Sequence, residues 1–165
     1  MNEKTYKAMV ERFSKSKGMI EFLKFSNKIL PLVFYISYPL LLILKALEGF
    51  DRELIRILIV PLCVFLGVTV MRKIINRPRP YEKFHTSSVI PNERKGQSFP
   101  SRHTASAVII ALSAFLVNVP FAIALCSVAL VVSVGRVLAG IHYISDVLFA
   151  TLLSAGFGAL FFFVI

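Results

Sequence analysis

The feature that most constrains this chain is a stretch of 32 residues, 104–135, without a single Asp, Glu, Lys or Arg. Runs at 29–44, 57–71 and 147–165 are free of the same four residue types. A helix on the surface of a soluble domain keeps a charged or polar face, so runs of this kind specify helices that cross a bilayer. Composition agrees: 56% of residues are hydrophobic and 17% charged, against about 45–50% and about 25% in soluble domains. A disordered chain, a secreted disulfide scaffold and an ordinary soluble enzyme are all excluded. Cys63 and Cys126 sit inside apolar runs without ligand spacing and read as small packing residues.

Thirty-two residues are too many for one span, and Asn118-Val119-Pro120 is the natural place to break the run. The expected fold is therefore all-α, a polytopic bundle of about five transmembrane helices. If the second span ends at Arg72, this hairpin puts the polar segments 72–103 and 136–146 on one membrane face. A single unbroken helix would have put them on opposite faces. Helices of about 17 residues rise only ~25 Å, short of a hydrocarbon core of ~30 Å. They must extend into their polar flanks, or the membrane must thin.

Residues 1–28 interleave Lys4, Lys7, Arg12, Lys15, Lys17, Lys24 and Lys28 with Met9, Phe13, Ile20, Leu23 and Phe25. This pattern predicts a basic helix in the membrane interface, followed by a membrane domain over 29–165. A solvated tail is the alternative, given the Ser-Lys-Ser-Lys-Gly stretch at 14–18. No small-residue cleavage site follows a short apolar core, so no removable signal is expected.

The net charge is +10, from 19 Lys+Arg and 9 Asp+Glu. A nucleic-acid surface would not accompany such long charge-free runs, so no nucleic-acid partner is expected. The charge reads as basic loops facing anionic membrane lipids or a phosphorylated substrate. Lys45, Arg52 and Arg56 fall on the far face, and the other 16 basic residues on the face carrying the polar clusters. The positive-inside rule then makes this a multi-pass protein of the cell membrane with that face in the cytoplasm.

The polar clusters are Arg72-Lys73-Ile74-Ile75-Asn76-Arg77-Pro78-Arg79-Pro80, then Ser98-Phe99-Pro100-Ser101-Arg102-His103, then Gly135-Arg136 with His142 and Asp146. Arg72, Arg79 and Arg136 are strong donors to phosphate oxygens. Pro100-Ser101 before an apolar run marks a helix start, whose free N–H groups favour an anion and whose Ser101 hydroxyl adds a donor. His142 and Asp146 are four apart, so on a helix they share a face. The carboxylate can then hold Nδ1–H and leave Nε2 as a nucleophile. His103 is placed to protonate a departing oxygen. Two histidines, several phosphate donors and no metal-binding motif suggest cofactor-free, metal-independent cleavage of a phosphate ester through a phosphohistidine. Each element alone has a plainer reading: a boundary arginine sets topology, a His-x-x-x-Asp pair bonds internally, Pro-Ser caps a helix. Their conjunction on one face is what points to chemistry.

At these residues the chain resembles the type 2 phosphatidic acid phosphatase and vanadium haloperoxidase superfamily. The family signature reads Lys-x6-Arg-Pro, Pro-Ser-Gly-His and Ser-Arg-x5-His-x3-Asp. This chain has Arg72-x6-Arg79-Pro80, Pro100-Ser101-Arg102-His103 and Gly135-Arg136-x5-His142-x3-Asp146. The resemblance implies that Arg72, Arg79, Arg136 and Ser101 bind phosphate. It further implies that His142 is the nucleophile, Asp146 its orienter and His103 the acid. It implies a phospholipid or polyprenyl phosphate substrate, such as phosphatidate, phosphatidylglycerol phosphate or a polyprenyl diphosphate. Three positions depart from the signature. Arg72 stands for lysine, and Lys73 beside it could serve instead. Arg102 stands for glycine and could add a cation for a diphosphate. Gly135 stands for serine, so one hydroxyl is missing. Relatives acting on polyprenyl diphosphates imply the outer face rather than the cytoplasmic one. The alternative function is a non-enzymatic protein that binds or transports lipid headgroups, which explains the arginines but leaves His103, His142 and Asp146 without a role.

Overall fold

The computed structural model describes residues 2–164 and is helical throughout, with no strand among the described residues. Two short helices, α1 (Glu3–Ser14) and α2 (Lys17–Lys24), precede a wide π-helical turn at Phe25–Ile29. The long helices α3 (Leu30–Glu48) and α4 (Arg52–Ile75) follow, then a loop with the single turn α5 (Pro80–Lys83). Three more helices complete the chain: α6 (Arg102–Ser113, tightened at Ala114–Leu116), α7 (Val119–Leu138) and α8 (Ile144–Gly158, widened at Ala159–Val164).

Four helical stretches are long and apolar enough to cross a membrane: Lys17–Glu48, Arg52–Lys83, Val119–Leu138 and Ile144–Phe162. The fifth expected span is shorter, Arg102–Leu116, a rise of only ~22 Å. It can be short because it is the hub of the bundle, packed against α3, α4, α7 and α8. Ala105, Ala107, Ile109 and Ala111 are almost wholly buried along it. A helix sheathed by its neighbours does not have to match the bilayer thickness. Large apolar side chains such as Ile36, Leu66, Leu130 and Leu152 are exposed on the outer helices, as a lipid-facing surface requires.

The long apolar run breaks at the expected place. Asn118 caps α7, its side chain accepting from the Phe121 N–H at 2.9 Å, with Pro120 in the first turn. On that far side of the bundle Lys45 ties the α3–α4 connection together through Glu53 at 2.6 Å, Glu48 at 2.8 Å and Asp51 at 3.4 Å. Pro61 lies inside α4 and cannot bond the carbonyl one turn back, that of Ile57. The Tyr38 hydroxyl of α3 donates to that carbonyl at 3.2 Å. The polar group freed by proline is thus satisfied inside the apolar layer.

The N-terminal segment differs from a single interfacial helix. It forms two helices that bury Tyr6, Val10 and Leu23 against Val89, Ile90, Ala139 and Ile141, while Phe22 stays exposed. The Tyr6 hydroxyl donates to the Gly140 carbonyl at 3.1 Å. Helices α1 and α2 therefore pack on the loops at the polar side of the bundle.

Candidate active site

Each polar cluster is brought inward by a specific local device. Helix α4 stops at Asn76, which adopts the left-handed conformation (φ 40°, ψ 43°), one that asparagine tolerates better than most residues. Arg72, one turn earlier, is buried and donates through Nη1 to the Pro100 carbonyl at 2.9 Å. The Arg-Pro-Arg-Pro stretch is extended, since each proline disfavours helix in the residue before it. Arg79 is buried and donates through Nε to the Gly96 carbonyl at 3.2 Å. Glu82 staples this loop by accepting from the Arg79 N–H at 2.7 Å and the Gly96 N–H at 2.8 Å. Gly96 has φ +61° and lies against the Asn76 side chain, where a Cβ would come within 2.5 Å of Oδ1.

The second cluster joins the third through the backbone: the Ser101 N–H, at the start of α6, donates to the Asp146 carbonyl at 3.1 Å. His103 follows in the first turn of α6. Arg136 ends α7, buried, with Nη2 donating to the Asn27 carbonyl at 3.2 Å.

His142 and Asp146 meet, but not on one helix face. His142 precedes α8, Tyr143 caps it, and Asp146 sits in its first turn, accepting from the Tyr143 N–H at 3.0 Å. The contact is thus part of a helix cap. His142 Nδ1 lies 3.3 Å from Asp146 Oδ2. The same oxygen accepts from Ser98 Oγ at 2.5 Å, and Oδ1 accepts from Arg77 Nη1 at 2.7 Å. With Nδ1 turned to the carboxylate, Nε2 is the free nitrogen. Burial pushes the His142 imidazole down to about 4, against the upward pull of its bond to Asp146. The ring is therefore neutral at physiological pH.

A cavity of ≈ 560 Å³ is lined by His142, His103, Arg72, Arg79, Arg102 and Arg136. All but three of the site residues expected from sequence line it. Asp146 stands behind His142, fully buried. Ser101 is buried, and its Oγ has no partner in the protein; the same holds for Arg136 Nε. Lys73 is exposed at the end of α4 and does not line the cavity. Arg72 is the buried one of that pair.

The structure also brings in residues that the motif reading passed over. Arg77 and Ser98 hold the carboxylate behind His142, and Asn27, Lys28 and Arg94 line the cavity. Lys28 and Arg94 had only their charge as a signal, and nothing local distinguishes them from surface lysines and arginines. Among the described residues no group of three or more His, Cys, Asp or Glu is arranged to hold a metal ion.

A second cavity of ≈ 500 Å³ is lined mainly by apolar residues of α3, α4 and α6, including Phe34, Tyr38, Phe65 and Ile110, with Pro39 and Pro61 in its walls. It shares Arg102 and His103 with the polar cavity. The Arg102 guanidinium lies 5.5 Å from the centre of the Phe65 ring, at the junction of the two.

Residues 53–165 match the model of the PAP2 superfamily, a range that contains all three polar clusters. The fold is similar to the crystal structure of the first transmembrane PAP2 type phosphatidylglycerolphosphate phosphatase from Bacillus subtilis. The TM-score is 0.53 and the identity 20%, over 96% of this chain and 92% of that one. No curated protein matches the chain in sequence.

Proposed function

The chain belongs to the PAP2 superfamily and is a membrane phosphatase, and we propose that it cleaves a lipid phosphate ester through a phosphohistidine formed on His142. The observation that carries this reading is the meeting of the two cavities at Arg102 and His103. One cavity is cationic and suits a phosphate. The other is apolar and suits the lipid chain attached to it. The pair His142–Asp146 lies at the cationic end, with its neutral imidazole poised as a nucleophile.

In the first step His142 Nε2 attacks phosphorus, the bond from phosphorus to the lipid oxygen breaks, and His103 gives its proton to that oxygen. Arg72, Arg79 and Arg136 balance the charge on the phosphoryl oxygens. Ser101 Oγ and Arg136 Nε, which lack protein partners, are available as further donors. The imidazolium character that develops on His142 is stabilised by Asp146. In the second step a water attacks the phosphohistidine, His103 takes its proton, and inorganic phosphate leaves. A phosphate dianion beside His103 favours the protonated ring needed in the first step.

The cationic cavity is larger in charge than one phosphate needs. Lys28, Arg72, Arg79, Arg94, Arg102 and Arg136 line it, against the single carboxylate of Glu93. This favours a headgroup with two phosphates, a polyprenyl diphosphate or phosphatidylglycerol phosphate, over phosphatidate. The 12 basic residues on this side besides Arg72, Arg79, Arg102 and Arg136 favour a cytoplasmic active site.

The test is phosphate release in detergent with EDTA present, from those three lipids, by wild type and His142→Ala. The reading expects release by wild type alone, with the two-phosphate lipids ahead of phosphatidate. Headgroup binding without release from any lipid, by a folded wild type, would replace it with the non-enzymatic alternative.

A further inference from the structure

The polar cavity takes one wall from outside the region 53–165 that matches the family model. The π-helical turn Phe25–Ile29 lies directly on Gly135 and Arg136. Ser26 is wholly buried and Asn27 nearly so. Asn27 Nδ2 donates to the Leu23 carbonyl at 2.8 Å and to the Gly135 carbonyl at 3.1 Å. The Asn27 carbonyl in turn accepts from Arg136 Nη2 at 3.2 Å. One residue thus reads the backbone before Arg136 and the guanidinium of Arg136 itself. Asn27 Oδ1 is buried without a protein partner, and Asn27 and Lys28 both line the cavity.

The approach is close enough to dictate residue 135. A Cβ there would lie 2.5 Å from Ser26 Oγ, 3.1 Å from Ser26 Cβ and 3.4 Å from Asn27 Nδ2. The first distance is far inside van der Waals contact, and the serine oxygen has little freedom to retreat because it donates to the Leu23 carbonyl at 3.1 Å. Gly135 has a cause in this packing: the volume that a side chain would fill is occupied by Ser26. π-Turns of this kind recur at functional sites because they displace side chains from the regular helical path.

We propose that Ser26 and Asn27 are positioning residues of the phosphate site, seating the end of α7 so that Arg136 presents its guanidinium to phosphate. The proposal rests on the reading of Arg136 as a phosphate ligand. It makes the N-terminal segment part of the machinery rather than an anchor alone. Ser26 and Gly135 form a steric pair, in which bulk can stand on one side only.

The test measures inorganic phosphate binding by the intact protein in detergent, so it can be read even if no lipid is hydrolysed. Asn27→Ala adds no volume and should weaken phosphate binding about tenfold, raising KM more than it lowers kcat. Arg136→Ala should weaken it at least as much, and the double variant no further, because the Asn27 side chain acts on phosphate only by seating Gly135 and so placing Arg136. Gly135→Ala should weaken binding by pushing the turn away, and Ser26→Gly/Gly135→Ala should restore it to near wild type. Wild-type affinity in Asn27→Ala, or additive losses in its double variant with Arg136→Ala, would overturn the proposal. So would a Ser26→Gly/Gly135→Ala protein that binds no better than Gly135→Ala. If Asn27→Ala does not fold, this steric swap decides alone. Normal phosphate binding in every variant alongside a wild type inert on all lipids would remove both this proposal and the hydrolytic reading. Loss in Asn27→Ala with an inert wild type would remove only the latter.

Discussion

Arg77 Nη1 lies 2.7 Å from Asp146 Oδ1, on the side of the carboxylate away from His142. The guanidinium also stacks 4.0 Å from the centre of the Tyr143 ring and donates to Ser145 Oγ at 2.9 Å. Two arginines separated only by Pro78 thus go separate ways: Arg79 lines the polar cavity, and Arg77 holds the carboxylate behind His142.

The two should therefore differ in kinetics. Breaking a wholly buried ion pair costs about 3–5 kcal/mol, but the Arg77 side chain is 35% exposed. Water replaces part of the interaction, so Arg77→Ala should lower kcat about tenfold to a hundredfold and change KM little. Arg79→Ala should raise KM as well. Steady-state kinetics on one lipid substrate separates them; matching KM changes would refute the division.

His103 should matter in proportion to how badly the leaving oxygen needs a proton. On a lipid alkyl phosphate, His103→Ala should lose about a hundredfold to ten-thousandfold in kcat. On p-nitrophenyl phosphate, whose leaving group needs no protonation, the loss in the pre-steady-state burst of p-nitrophenol, which reports the first step alone, should shrink sharply. Equal losses on both substrates would assign His103 to phosphate binding alone.

The pH dependence follows from the lowered His142. Its ring stays neutral in the folded protein down to about 4, whereas in the unfolded chain it takes a proton near 6.5. Between those values the unfolded state binds more protons, so stability falls as pH is lowered through that window. Melting of the detergent-solubilised protein from pH 7 to pH 4.5 should show this loss in wild type and less of it in His142→Ala. A steeper loss in the variant would contradict the assignment.

Filling the apolar cavity should discriminate by chain length. Ser106 lines it without lining the polar cavity. Ser106→Leu should raise KM for a long-chain lipid about tenfold, since bulk added to a packed pocket costs about 1–3 kcal/mol. KM for a short-chain, water-soluble phosphate should stay unchanged. An equal effect on both would mean that the lipid chain lies elsewhere.

Much of this was legible in the residues, because its signals are local. Charge-free runs define helices, Asn118 and Pro120 break the longest, and one hairpin puts every polar cluster on the same face. Contacts between segments distant in sequence were not legible. Ser98 and Arg77 reach Asp146 across 48 and 69 positions, and nothing in Arg-Pro-Arg-Pro says which arginine turns which way. The four-residue spacing of His142 and Asp146 suggested a helix face, yet the contact arises from a helix cap, which satisfies the same spacing. The N-terminal segment looked like a membrane-surface helix because its apolar residues alternate with lysines. That pattern does not announce that Tyr6, Val10 and Leu23 pack on loop residues far along the chain.

The most direct test of the account is rapid acid-free quenching of wild type and His142→Ala during turnover of a lipid labelled with ³²P in the scissile phosphate. The account predicts a phosphoryl adduct on the wild-type protein, stable to base and labile to acid, and none on His142→Ala. A wild type that releases phosphate without any such adduct, or a His142→Ala protein that still carries it, would contradict the claim that His142 is the nucleophile.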